Sequence, residues 1–472
     1  MRVHFFLPTV VTLVCIGCGA GTASSPADAA SAGTDAGRDG SQLADGGTTP
    51  STDGSSDDVS NGAPDGPVPA LDGSGTDGTG IGDAPAPSSG ATCTSPRPQL
   101  AASDAADDTV LAYLAQSGYL SAGLTKDGWD PTAGVGDVTT FTANYTVASG
   151  GTYPTVQSGI NAAVAAGGTT RLFVLVTPGT YTETVCVPAT APPITLYSTN
   201  ADASQTVIVN SNYSGEAKDA GVVANGCTPN ATAATFGTAG SATFSAFAKG
   251  FQAKNITFSN DVTAAMLGTT SGTQAVALMT EADQVVLENV RVLGHQDTLY
   301  VETSSPGTVV RTYIKNSYVA GDVDFIFGGA TSVLDGCQIQ FVSDRRSNGQ
   351  ILAPDTASLN PFGILVNNGT FTADAATTAG SVGLGRAWDR SCVDVPTYVS
   401  SCIPAGDYPN GQALVRNSTL GAQIAADPWF AAATTKRAFC NTPWDCLDDA
   451  GARECPANRL FEYENTGPGS VQ

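Results

Sequence analysis

Two aspartates stand in short apolar stretches of the same half of the chain. Asp297 lies in Gly294-His295-Gln296-Asp297-Thr298-Leu299-Tyr300, and Asp324 in Gly321-Asp322-Val323-Asp324-Phe325-Ile326-Phe327-Gly328. An acid followed by Phe-Ile-Phe is poorly hydrated by its neighbours, so it needs a partner or takes up a proton. Paired carboxylates in such surroundings divide acid and base roles, which makes hydrolysis the first reaction class to consider. Asp322 competes with Asp324, because along a strand the two would face the same side. Taken singly, each acid could equally accept backbone hydrogen bonds at a turn. His295 could serve as the base of a Ser-His-Asp site, but no Gly-x-Ser-x-Gly elbow accompanies it.

The surrounding sequence predicts how these residues are held. From about residue 140 onward, short Thr- and Val-rich runs alternate with Gly, Asn and Ser, with little helical periodicity. A related unit recurs at Lys254-Asn255-Ile256, Glu288-Asn289-Val290, Lys315-Asn316-Ser317, Asp335-Gly336-Cys337 and Arg416-Asn417-Ser418. Asn or Gly at its second place tolerates the left-handed conformation of a tight turn. Repetition at irregular intervals predicts an all-β fold, a right-handed parallel β-helix whose coils stack to continue one core. Helices are expected over Ala105 to Leu120 and over Val156 to Ala165, the second capping the open first coil. The Trp129 segment is expected to wrap that same end.

The first fifth of the 472-residue chain reads differently. The apolar run Phe5 to Ile16 has the shape of a secretory signal and is too short to span a bilayer. Gly17-Cys18 resembles the bacterial lipobox, with Cys15 standing where that motif prefers Leu. Residues 1–17 are therefore expected to be a lipoprotein-type signal and Cys18 the lipidated first residue, an ordinary cleaved signal being the alternative. Residues 18–92, rich in Gly, Ala, Ser, Thr, Pro and Asp without aromatics, are expected to form a disordered tether. As a coil of roughly 75 residues, its ends would lie about 50 Å apart on average. Residues 93–139 would wrap or cap a folded domain spanning 140–472. The expected location is outside the cytoplasm, anchored at the outer membrane or cell surface, or else secreted.

A net charge of −23 argues against nucleic acid and against anionic membrane surfaces as partners. Eleven cysteines in an exported chain point to disulfides. Without Cys15 and Cys18 the set is odd, so one thiol should stay free or pair between chains. Cys337, in an apolar-alternating stretch, is the candidate for a buried free thiol, and Cys392 with Cys402 would close a short loop. After export the chain would keep a single His and no CxxC spacing, so no metal site is expected.

The chain resembles the pectin methylesterases, carbohydrate esterases built on a parallel β-helix. The resemblance rests on Gly150-Gly151-Thr152-Tyr153-Pro154-Thr155-Val156-Gln157, Pro178-Gly179-Thr180-Tyr181-Thr182-Glu183, Gln274-Ala275-Val276-Ala277-Leu278, both acid motifs, Leu384-Gly385-Arg386-Ala387-Trp388 and Glu462-Tyr463-Glu464-Asn465-Thr466-Gly467-Pro468-Gly469. It covers about residue 140 to the end, and Tyr408-Pro409-Asn410-Gly411-Gln412 is closer to the bacterial than to the plant branch. Ala387 departs from the family's usual Pro, and Asp389 to Asn410 reads as an insertion or variable loop.

The resemblance implies removal of methyl groups from methyl-esterified homogalacturonan, in cell-wall modification and pectin catabolism, without a cofactor. Asp324 would be the nucleophile and Asp297 the general acid, then base. Gln274 and Gln296 would donate to the oxyanion, and Arg386 would hold Asp324 as a carboxylate. Two neighbouring acids titrate together, so a bell-shaped pH profile is expected. Trp388, Tyr300 and Phe327 would contact sugar, with Val323 lining the cleft and Arg386 touching substrate as well. Glu183 reads as structural, and His295 as a cleft-flanking residue that tunes affinity. An acidic enzyme with a polyanionic product should prefer well-esterified pectin. Nothing in the sequence points to oligomerisation, so a monomer is expected. The competing functions are a thioesterase, reached in some lipid-anchored bacterial members by loss of the acid at the Asp297 position, and a non-catalytic pectin-binding protein. Retention of Asp297 argues against the first, and both acids, both amides and the arginine together argue against the second.

Overall fold

The computed structural model describes residues 96–218, 226–227, 232–268, 271–305, 307–390, 409–434, 436, 438–440 and 457–471. The expected signal, the expected tether with Cys18, and the expected Cys392–Cys402 pairing lie outside the described residues.

Each coil contributes one strand to each of three parallel sheets. Among the described residues one sheet has eleven strands, running from Tyr145–Val147 to Phe439–Cys440, and the other two have eight each. Neighbouring strands pair in parallel throughout, as Val285–Glu288 does with Arg311–Lys315, and Thr331–Asp335 with Ile364–Asn367. This is the right-handed parallel β-helix expected from the repeats. Inward side chains stack into one core that includes Val174, Leu196, Phe244, Phe258, Leu287, Phe325, Ile351 and Leu460.

The Asn-led units form one corner of successive coils from Asn255 to Asn417. Asn255, Asn289, Asn316, Gly336 and Asn417 all have positive φ, and Asn368 adds a further coil to the series. Stacking puts one such amide over the next: Asn289 Nδ2 donates to Asn255 Oδ1 at 2.8 Å, and Asn255 Nδ2 to the Ser198 carbonyl at 2.9 Å. Each amide thus satisfies a polar group that burial would otherwise leave without a partner.

Helix Val156–Ala166 closes the first coil, burying Val156, Ile160 and Ala163. Its N-terminus carries a Thr155/Ser158 capping box. Both oxygens of Glu183 accept from the next free amides, Val156 N at 2.7 Å and Gln157 N at 2.9 Å. A carboxylate at this end also meets the favourable pole of the helix dipole. A disulfide joins Cys186 to Cys227. Cys337 is a buried free thiol, and burial pushes its pKa up to about 12.

Two expectations need correction. The stretch from Ala105 to Leu120 is not one helix but two short ones, Ala102–Asp107 and Val110–Leu114, followed by the strand Gln116–Tyr119. Asp108 leaves helical geometry, Thr109 caps the second helix by accepting from Ala112 N, and Gly118 takes a positive φ. The Trp129 segment does not wrap the first coil. Residues 96–144 instead form a strap along the outer face of the long sheet, from the last coil back to the first. Leu100 N bonds the Glu462 carbonyl at 2.8 Å, Tyr113 Oη accepts from Gln412 at 2.6 Å, Val135 N donates to Glu288 at 2.7 Å, and Asn144 Oδ1 accepts from Phe173 N at 2.8 Å. Beneath it, Val286, Tyr313, Val333, Leu365 and Leu414 turn outward against Tyr113 and Leu114.

Arg311 pins the middle of the strap. Its buried guanidinium bonds both oxygens of Asp127 at 2.8 and 2.6 Å, both of Asp283 at 2.9 Å, and the Leu114 carbonyl at 2.9 Å. The Trp129 ring lies against it at 4.9 Å. Hydrogen bonding to Arg311 holds the Asp127 carboxyl well below the usual range. The stability this supplies is therefore present above the ordinary carboxylate pKa and lost as pH falls through the lowered one. Arg311→Ala is expected to cost about 3–5 kcal/mol in urea unfolding, because it leaves two acids facing each other. Wild-type stability should also decline below about pH 4 more steeply than that of the variant.

Candidate active site

The two acids occupy equivalent places on successive coils. Leu299 pairs with Ile326 and Tyr300 with Phe327, and each aspartate precedes its strand by the same interval. Neighbouring strands lie about 4.8 Å apart, so this register makes Asp297 and Asp324 direct neighbours up the coil. The ladder runs unbroken through them: Asp297 N donates to the Val323 carbonyl at 3.1 Å and Asp324 N to the Gln350 carbonyl at 2.7 Å. Both have left-handed backbone, with φ of 65° and 47°. That conformation suits Asp better than most residues and is a common store of strain at functional sites.

The left-handed turn also separates Asp322 from Asp324, correcting the expectation that both face one side. Asp322 is fully buried, 3.4 Å from His295 Nδ1 and 3.8 Å from Arg345 Nε. Asp324 instead meets Arg386 in a fork, Nε to Oδ1 at 3.1 Å and Nη2 to Oδ2 at 2.7 Å. Its side chain keeps 13% of its surface exposed. It is therefore reachable from solvent while held as half of a bidentate pair, the strong form of ion pair. Arg386 comes from two coils further on, in register with Ala353 and so with Phe327. The short Ala353 side chain leaves space for the guanidinium to reach back.

Gln274 lies on the coil before Asp297, and Gln296 directly precedes Asp297 on its own coil. Ala275 N donates to the Gln296 carbonyl at 3.1 Å, which sets Gln274 beside the coil that carries Asp297. Gln296 is buried, and its Oε1 accepts from Thr273 Oγ1 at 2.6 Å. That bond turns its amide nitrogen away from Thr273. Gln274 stays partly exposed.

Tyr300 and Phe327 stack at 4.2 Å with 12° between their planes, and Trp388 stands roughly edgewise to both, at 6.3 and 5.7 Å. Tyr300 and Phe327 are nearly covered, so Trp388 presents more open surface than either. Val323 is buried, and its carbonyl serves Asp297 N. Gly328, with φ of 122°, turns the chain where any Cβ would lie 2.0 Å from the Val301 carbonyl oxygen.

Sequence reasoning missed Thr273 and a cluster behind the aromatics. Arg390 donates through Nε to Asp355 Oδ2 at 3.0 Å and through Nη2 to Glu302, with Glu281 nearby. Arg390 stood in the stretch read as a variable loop, most of which, 391–408, lies outside the described residues. Its partners come from separate coils, so no local motif announces them.

With this geometry in view, the comparisons with known proteins are direct. The family model described as Pectinesterase matches residues 144–411. A pectinesterase of Ralstonia solanacearum is 44% identical over 386 residues, covering 80% of this chain and 93% of that one. Pectinesterase B of Dickeya dadantii is 38% identical over 78% of this chain and 89% of its own. The solved structure of rice weevil pectin methyl esterase superposes with a TM-score of 0.65 at 33% identity, covering 80% of this chain and 98% of that chain. A parallel β-helix bearing paired acids at one corner thus defines a carbohydrate-esterase class. The chain belongs to the pectinesterase family, and its activity is that of a pectin methylesterase.

Thr273→Val removes the bond that orients Gln296 while preserving shape. With Gln296 donating to the oxyanion, as the resemblance implies, kcat on methylated pectin would fall about tenfold with little change in KM, because a misdirected donor weakens the transition state more than the ground state. Steady-state methanol release checks this.

Proposed function

We propose that Asp324 is the nucleophile and Asp297 the acid and base in hydrolysis of galacturonate methyl esters. The observation that carries this reading is the fork from Arg386 onto a part-exposed Asp324 in register with a second acid. Arg386 directs both donors at one carboxylate and so fixes the orientation of the group that attacks.

In the first half, an Asp324 oxygen adds to the ester carbonyl carbon, and the oxyanion accepts hydrogen bonds from the Gln274 and Gln296 amides. The C–O bond to methoxide breaks as Asp297 gives it a proton, releasing methanol and leaving an acyl anhydride on Asp324. In the second half, Asp297, now a carboxylate, takes a proton from water while the hydroxyl adds to the same carbonyl. Collapse frees the galacturonate acid and returns Asp324 as carboxylate and Asp297 as acid. Trp388 supplies a flat apolar surface for a pyranose, with Tyr300 and Phe327 behind it and Val323 below. A binding module would have no use for this arrangement, and a thioesterase of the Asp297-lacking kind would have given up half of it.

Asp324→Asn and Asp297→Asn are each expected to lower methanol release from highly methylated pectin by at least about a thousandfold, with unchanged circular dichroism. Substantial activity in either variant would remove its residue from the mechanism.

We further infer that the mature protein is lipid-anchored through Cys18, with residues 18–92 as a tether, and acts outside the cytoplasm as a monomer. The support is the Gly17-Cys18 signal and the composition of the tether. Cys18→Ser is expected to move active enzyme from the membrane fraction into soluble fractions; continued membrane association would count against the anchor.

A further inference from the structure

Trp388 is the open member of the aromatic group, so what fixes its ring bears on affinity. Two sets of contacts do so. Tyr300 and Phe327 meet it edgewise, and the Arg390 guanidinium lies over it, 4.6 Å from the ring centroid. Arg390 is in turn held from two other coils. Asp355 accepts from its backbone N at 3.0 Å and from its Nε at 3.0 Å, and Glu302 accepts from Nη2. Glu302 is itself fixed, its Oε1 accepting from Thr303 N at 2.7 Å. The side chains of Glu302 and Asp355 are 6% and 8% exposed. Such buried acids are committed to the cation between them, because losing it would leave their charges unpaired.

We propose that Arg390, clamped by Glu302 and Asp355, is a positioning residue that sets the angle of the Trp388 ring and thereby the affinity for pectin. This rests on the reading of Trp388 as a sugar-contact surface. Arg390 covers part of the ring and leaves the remainder for a pyranose. A guanidinium suits the task because one edge can fork onto carboxylates while its plane stacks on an indole, which an ammonium cannot do.

The clamp should respond to pH. The charged and titratable groups facing Arg390 are Glu302, Asp355, Tyr300 and Glu281, with Asp389 close to Asp355. Burial pushes the Asp355 carboxyl up to about 6 and that of Glu281 up to about 7. Burial likewise holds the Tyr300 hydroxyl well above its usual value, so Tyr300 stays neutral throughout. As pH falls through about 6, Asp355 takes up a proton and its charge no longer holds Arg390. Affinity is then expected to weaken on the acid side and to level off above neutrality.

The test is steady-state kinetics of the full-length enzyme on highly methylated pectin, comparing Arg390→Lys, Asp355→Asn, Trp388→Ala and the Arg390→Lys/Trp388→Ala double variant. Arg390→Lys and Asp355→Asn are expected to raise KM about tenfold with kcat within about twofold, the size of one buried cation–π contact. Between pH 5 and 8 the wild-type KM should fall and level off, whereas that of Asp355→Asn should vary less with pH and stay near the weaker value. Arg390→Lys should add nothing to the KM of Trp388→Ala, because both act through one ring. Tryptophan emission gives a second readout: Arg390→Lys should change it in the parent and leave it unchanged in Trp388→Ala. An unchanged KM in folded Arg390→Lys, or losses that add in the double variant, would overturn the positioning role while leaving Trp388 as the sugar surface. An unchanged KM in Trp388→Ala would overturn the sugar-contact reading itself, and the inference with it.

Discussion

A parallel coil can bond its neighbour along all three sheets only if both turn each corner at the same height. That demand for register shapes the rest of this molecule. It selects left-handed residues at the corners, where an ordinary side chain costs roughly 1–2 kcal/mol and a short polar one recovers part of that by local bonding. At one corner the solution is asparagine, whose amides can then bond from coil to coil, as Asn289 does to Asn255. At another corner the left-handed residues are Asp297 and Asp324. The geometry that builds a structural amide ladder there builds a pair of adjacent acids. No separate device is needed to bring them together.

Register also decides how the acids are told apart. Residues in line with Tyr300 on later coils are Phe327, Ala353 and Arg386, so one outward column supplies first the aromatic wall and then the guanidinium. Because Ala353 is small, Arg386 can cross its coil and fork onto Asp324. Two acids of the same type thereby receive different surroundings from their place in the stack, the usual basis for dividing chemical roles between like groups.

Much of this was legible because the signals are local. A left-handed Asn before a β-branched run is readable within five residues, and so is an acid ahead of Phe325-Ile326-Phe327. The cap over the first coil was readable from Thr155, Val156 and Ile160, although the service of Glu183 to its N-terminus needed the fold. What could not be read depends on partners far apart in sequence. The strap follows the long sheet because Arg311 finds Asp127 and Lys254 finds the Gly136 carbonyl, and neither end of those pairs looks unusual by itself. Alternation put Asp322 with Asp324 because it assumes a continuous strand, and a single left-handed residue breaks that assumption. The Arg390 clamp escaped notice for the same reason as the strap: Glu302 and Asp355 converge on it only once coils have stacked.

Charge placement bears on which substrate the cleft suits. Arg386 is occupied by Asp324 and Arg390 by Glu302 and Asp355, so the guanidinium groups set among the acids and aromatics are already matched by carboxylates. They order the site without making it a strong attractor of anions. The chain as a whole carries a net charge of −23, much of it from the aspartates between Asp28 and Asp83. A methyl-esterified galacturonan is nearly neutral and meets the site through ring stacking and hydrogen bonds, which this field scarcely affects. Each ester cleaved adds a negative charge, and repulsion from the protein grows with it. Substrate and product are therefore distinguished by the charge that the reaction itself creates. On the proposed mechanism, the same acidic character would favour release of pectate and weaken binding of the fully hydrolysed polymer.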